Sequence, residues 1–168
     1  MEQLLKQLSL VCLCLFALTG QVMADPLANA QRAFNEGDFA KAAKLFKPLA
    51  KKGNVLAQLS LGEMYANGQG VPQDDEEAEK WYRMAAEQGN SIAQSYLGWM
   101  YSNGQGVPLD IMRAYMWFSI ASANETNDNR KKQADDGLKK MEQVMTDQQI
   151  AKAKELARKC TASKFKGC

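Results

Sequence analysis

A chain of 168 residues without a single histidine lacks the side chain that most often serves as general base and metal ligand. Its formal net charge of +2 hides a split: residues 25–129 hold nine Lys/Arg against thirteen Asp/Glu, a net of −4, and residues 130–168 hold eleven against five, a net of +6. Such a division points to an interaction surface rather than to a need of the fold, and the length suits one domain.

The chain opens with Lys6 and its free amine, followed at residues 8–18 by eleven residues that are apolar except for Ser9. Gly20 breaks the run, and Val22-Met23-Ala24 puts small residues at the place where a signal peptidase reads them. The pattern predicts a secretory signal over residues 1–24, cleaved to leave 25–168 as one repeat domain. A membrane anchor needs about 20 apolar residues, and Gln7, Thr19, Gly20 and Gln21 interrupt this stretch. Cys12 and Cys14 would leave with the signal, and neither follows the small residues that a lipid-anchored cysteine requires. The mature protein is expected in the periplasm or secreted, where nucleic acid is not an expected partner.

An opening unit at about residues 27–52 contains the tight turn Gly37-Asp38-Phe39 and a helical pattern at Ala42, Leu45, Phe46 and Leu49. Residues 53–72 and 89–108 then repeat, thirty-six positions apart, with fourteen of twenty residues identical. A period of that length marks stacked units that cannot bury a core singly. In the first copy, residues 55–66 predict a helix through Leu56, Leu59, Leu61, Met64 and Tyr65. Asn67-Gly68 ends it, and Gly70-Val71-Pro72 makes a loop. Asp74 and Asp75 open the second helix, Glu76, Glu77 and Glu79 suit its positive end, and Ala78, Trp81, Tyr82 and Ala85 form its buried stripe. Gly62 and Gly98 permit close helix approach. The repeats therefore span about 53–88 and 89–124, each a pair of antiparallel helices. Asp110, Ala114, Trp117, Phe118 and Ala121 keep the pattern once more, so Trp81 and Trp117 read as core residues.

The period fails after Ala123. Residues 124–132 are polar, and Glu125-Thr126 replaces the Gly-Asn that opens each unit. A helix is predicted at about 128–145, and Thr146 with Gln149 forms a capping box for a last helix reaching about residue 159. Residues 125–168 thus form a C-terminal capping helix pair over an otherwise open apolar face. Cys160 and Cys168, with seven residues between them, predict a structural disulfide outside the cytoplasm. A redox or metal site would want C-x-x-C spacing or a histidine, and no metal or cofactor is expected. Lys152, Lys154, Arg158, Lys159, Lys164 and Lys166 favour contact with an anionic envelope component.

The pattern Ala-x3-Leu-Gly-x2-Tyr-x2-Gly-x-Gly-Val, then Asp-x3-Ala-x2-Trp-x3-Ala-x3-Gly, is met by Ala57, Leu61, Gly62, Tyr65, Gly68, Gly70, Val71, Asp74, Ala78, Trp81, Ala85 and Gly89. It is met again over residues 93–121. It resembles the Sel-one-like repeat, a relative of the tetratricopeptide repeat, with a tetratricopeptide-like opening at 33–50. The resemblance implies an all-α solenoid whose concave face is lined by the first helix of each pair, and a role as adaptor for a protein or peptide, in exported bacterial members often in envelope regulation or host contact. On that geometry Leu56, Leu59, Glu63 and Asn67 line the concave face, joined by Ile92, Ser95, Trp99, Ser102 and Asn103.

Within this set Trp99 stands where the other copy has Glu63, so the scaffold does not require one character of side chain there, and Trp is enriched at binding hot spots. The alternative for Trp99 is packing on the helix after Asp128. Met112 and Met116 beside Tyr115 read as packing residues. The rival function is an envelope enzyme or binder acting on peptidoglycan or β-lactams, as linked to cysteine-rich exported relatives. Those carry a disulfide in every repeat, whereas no repeat here holds a cysteine and no Ser-Lys or Cys-His arrangement is evident. The acidic run 74–79 is accounted for by helix capping.

Overall fold

Asp25, Asp38, Asn54, Asp74, Asn90, Asp110, Asn127 and Thr146 each accept a hydrogen bond from a backbone N–H one turn or less ahead, and each begins a helix. Side chains of this kind satisfy N–H groups that the helix itself cannot. The computed structural model describes residues 25–168, so the signal segment 1–24 and its cleavage lie outside the described residues. The helices are α1 (Pro26–Asn35), α2 (Phe39–Lys51), α3 (Val55–Asn67), α4 (Asp75–Ala86), α5 (Ser91–Asn103), α6 (Ile111–Asn124), α7 (Asp128–Glu142) and α8 (Asp147–Ala162). Each packs on the next from α1 to α7, and α7 also touches α5. The described residues are thus an all-α stack of helix pairs, as the repeat period predicts.

Three repeated contacts hold the stack. In the first, Gly70 and Gly106, both at positive φ, lie on the backbone that opens the preceding second helix: a Cβ at Gly70 would collide with Phe39, and one at Gly106 with Asp75. The loop is therefore a joint between successive repeats. In the second, the amides of Gln58 and Gln94, 4% and 0% exposed, donate to the carbonyls of Ala50 and Ala86 at 3.0 and 3.1 Å. Their own oxygens accept from Gln88 and Asn124, again thirty-six positions apart. A buried amide so satisfied ties three helices together, and breaking one partner would leave an unpaired polar group.

The third contact is aromatic on glycine. A Cβ on Gly62 would meet the Tyr82 ring at 2.5 Å, and one on Gly98 the Phe118 ring at 2.8 Å. Trp81 and Trp117 are buried beside them, as expected of core residues.

The C-terminal end departs from the repeat. Glu125 adopts φ −84° where Gly53 and Gly89 have φ of 90° and 85°, so the chain leaves the last repeat in a new direction. Helix α7 then packs against α6 and α5 with Gly137 on the far side of Phe118, a Cβ there also lying 2.8 Å from the ring. It stops at Glu142, three residues short of its predicted end. The N–H groups of Val144 and Met145 both reach back to Met141, and the turn drops Met145 into a small cluster with Tyr115 and Ala153. The capping box forms as predicted, and α8 runs three residues past its predicted end, to Ala162. Instead of extending the stack, α8 packs on α6, facing Ser119, Ile120 and Ala123 across a shallow hollow. Cys160 is buried and bonded to Cys168, with their Cα atoms 5.5 Å apart.

Candidate functional site

Helix α5 turns Ile92, Ser95, Trp99, Ser102 and Asn103 to one side because residues three and four apart share a helical face. Opposite them α7 supplies Arg130, Gln133, Asp136, Gly137, Lys140 and Met141. Between the two lies a groove of about 600 Å³ with Phe118 in its floor and Glu125 at one end. The predicted second-repeat residues are therefore brought together, all five in one groove. A second hollow of about 310 Å³ adjoins it and holds Asn67, Tyr82, Met100 and Gln105, with Tyr96 and Trp99 shared by both. The other first-repeat residues are dispersed. Leu56 is 54% exposed, Leu59 packs against the core, and Glu63 stands near Tyr96.

Trp99 is 52% exposed. It neither sinks into the core nor stands clear of α7, because the Lys140 ammonium lies 5.6 Å from the ring centroid. A cation over an exposed indole contributes about 0.5–1 kcal/mol. That is enough to orient the ring and too little to close the groove. The Trp99 carbonyl accepts from Ser102 Oγ at 2.8 Å and from Asn103 Nδ2 at 3.0 Å, which fixes the C-terminal turn of α5.

Tyr96 stacks on Tyr82 with ring centroids 4.6 Å apart and its hydroxyl 3.5 Å from Glu63. Burial pushes the Glu63 carboxyl above its ordinary range, against the lowering effect of Tyr96, and burial likewise raises both tyrosines.

Glu125 closes the other end. Its carboxylate accepts from Arg130 Nε at 2.8 Å, from Ser91 Oγ at 2.8 Å and from the N–H groups of Thr126 and Asn127 at 2.9 and 2.8 Å. The bonds from Arg130 outweigh desolvation and hold its pKa at about 2. Glu125 therefore staples α5 to the start of α7, and Arg130 is engaged within the protein. Lys140 and Asp136 are the remaining charged groups of the groove.

Tyr96, Glu125 and the α7 wall are not among the residues that the sequence places toward a partner, and Phe118 reads there as part of the repeated stripe of the second helices. Only the Tyr96/Ser60 difference between copies hinted at the first, and α7 lies outside the period. Among the described residues no group of three or more Cys, Asp or Glu is placed to hold a metal ion. An aromatic ridge between two hollows, flanked by hydroxyls, amides and a lysine, suits peptide side chains and backbone.

The family model of the Sel1 repeat matches residues 36–54, 55–90 and 91–125. The structure is similar to that of a protective antigen present in uropathogenic Escherichia coli strains and displaying an SLR fold, with 34% identity and a TM-score of 0.74 over 82% of this chain and 30% of that one. It is also similar to a Sel1 repeat protein from Oxalobacter formigenes, with 29% identity and a TM-score of 0.55 over 58% of this chain and 40% of that one. The chain thus spans less than half the length of either. No curated protein matches it.

Proposed function

Because this chain belongs to the Sel1 repeat family, whose members in general are non-catalytic scaffolds mediating protein–protein interaction, we propose that it is an exported adaptor holding a protein or peptide in the groove between α5 and α7. The carrying observation is Trp99, half exposed on the ridge between two hollows, while the other two tryptophans of the chain, Trp81 and Trp117 in the second helices, are buried. A large aromatic left in solvent beside a formed groove is the residue type that anchors interfaces.

The apolar run and small-residue site of residues 1–24 support a place in the periplasm or beyond it, in the regulation or assembly of the cell envelope. Likeness to a protective antigen agrees with that place. The exposed cations Lys152, Lys154, Arg158, Lys159, Lys164 and Lys166 add a contact for an anionic envelope component.

A photo-crosslinking amino acid at Ser95, with a matched one at Gln31 on α1, tests the groove in intact cells. Adducts specific to Ser95 in the envelope fraction are expected. Identical adducts at both positions, or none at either, would overturn the assignment.

A further inference from the structure

Helix α2 and its C-cap carry Lys41, Lys44, Lys47, Lys51 and Lys52 and no acidic residue. Ala42, Ala43, Phe46 and Ala50 face the core, and all five lysines are exposed. None pairs with a carboxylate among the described residues. Lys41, Lys44 and Lys47 are three apart and Lys47 and Lys51 four apart, so like charges are neighbours on one face and oppose helix formation.

The equivalent helix one repeat later avoids this: in α4, Lys80 pairs with Glu77 and Arg83 with Glu79. One repeat further, the positions in register with Lys47, Pro48 and Lys51 are Ser119, Ile120 and Ala123, which meet α8. The same outward face is thus covered at one end of the stack, charge-balanced in the middle, and open and uniformly cationic at the other.

We infer that the lysine face of α2 is a peripheral docking surface for an anionic phospholipid bilayer. Specific protein interfaces are depleted of Lys at their centres and built around aromatic or Arg anchors, and the exposed side of α2 offers only Ala40 and Pro48 besides the lysines. Lysine is a hydrated point charge on a flexible stem, without the planar fork by which Arg grips one phosphate or carboxylate. It suits a fluid array of headgroups better than a fixed partner. From Lys41 to Lys51 the helix rises about 15 Å, within two Debye lengths at physiological salt, so the charges act together. No helix among the described residues is long and apolar enough to cross a membrane, and this contact needs none.

The test is sedimentation of the full chain with vesicles of mixed phosphatidylglycerol and phosphatidylcholine, and with vesicles of phosphatidylcholine alone. The apolar segment 8–18 favours both alike, so their difference reads the charge contribution of the whole chain, and the substitutions below assign the share of α2. At about fivefold per lysine near an anionic surface, replacing Lys41, Lys44, Lys47 and Lys51 together by Gln should weaken binding to the anionic vesicles at least tenfold. Added salt should do the same to the unaltered chain. A variant with the same charge change at scattered sites, Arg32→Gln, Lys80→Gln, Lys132→Gln and Lys139→Gln, should keep most of the binding. Three results overturn the inference: no preference of the unaltered chain for anionic vesicles, equal losses in the two variants, or a chain that ignores vesicles yet binds soluble polyglutamate.

Discussion

Replacing Gly98 by Ala tests how tightly the last repeat is locked. The added Cβ would lie 2.8–2.9 Å from three carbons of the Phe118 ring, and Gly137 makes the same approach from the other side. The ring is 2% exposed, so it cannot move without parting α5 from α7. Overfilling a packed site costs about 1–3 kcal/mol, and removing a glycine from a helix interior returns roughly 1 kcal/mol. For a ring pinned on both faces the net should be a loss of about 1–2 kcal/mol, or roughly 3–6 °C in Tm for a domain of this size. Gly62→Ala provides the contrast. Its Cβ comes still closer to Tyr82, at 2.5 Å. Yet Tyr82 is backed by Tyr96, which is 38% exposed and free to swing outward, so the loss should be smaller. In the double variant Gly98→Ala, Phe118→Leu, the shorter side chain should recover part of the summed loss, because the two sites share one volume. Thermal and urea unfolding followed by circular dichroism measures these variants, the unaltered chain and Phe118→Leu alone, five proteins in all. A Gly98→Ala Tm at or above that of the unaltered chain, or below which Gly62→Ala falls, would refute the argument.

Glu125, with a pKa held at about 2 in the fold against roughly 4.3 in an unfolded chain, stabilises above the unfolded value and loses that effect as pH falls through the interval. Since Arg130 is half exposed, the contribution should be about 1–2 kcal/mol rather than the full shift; the stability gap to Glu125→Gln should be present at neutral pH and close near pH 2, and a gap independent of pH contradicts the assignment. Protein recovered from outside the cytoplasm should show no free thiol at Cys160 or Cys168 without reductant, and reduction should cost roughly 2–3 kcal/mol; full labelling of both would contradict this. Deleting residues 53–88, one whole unit, should leave a soluble helical protein, because the remaining repeats find equivalent neighbours, while Gly98→Leu should be worse. Circular dichroism and sedimentation would contradict the repeat account if the deletion aggregates and the Leu variant folds normally.

The stack was legible because its signals recur at one spacing. Capping residues, the glycines at 62 and 98 and the tryptophans at 81 and 117 each appear twice at the interval of thirty-six. Gln58 and Gln94 recur as well, but a glutamine is ordinarily a surface residue, and only the packed helices show that its amide spans carbonyl and neighbour. The groove was half legible. Its α5 wall follows from helical spacing, whereas its α7 wall belongs to a helix outside the period with no second copy for comparison. Gly137 in the middle of α7 reads as a weak point until Phe118 is seen against it. Glu125 looked like part of a polar break, since its burial depends on Arg130 and Ser91 arriving from different helices. That α8 returns to cover α6 depends on the uncharged outward face of that helix at Ser119, Ile120 and Ala123, where the earlier copies place charges beside Met84 and Pro48, at Arg83 and Glu87 and at Lys47 and Lys51.

The central claim is that Trp99 serves a partner and not the fold, and a comparison of Trp99→Ala with Trp81→Ala tests it most directly. Trp81 is 7% exposed and Trp99 52%. Truncating the buried ring should cost about 3–5 kcal/mol of stability. Truncating the exposed one should cost no more than the contact with Lys140, about 1 kcal/mol or less. Retention of the partner captured through Ser95 should fall for Trp99→Ala by about 2 kcal/mol or more, roughly thirtyfold. If Trp99→Ala melts as early as Trp81→Ala, or keeps its partner undiminished, the groove is not the binding face.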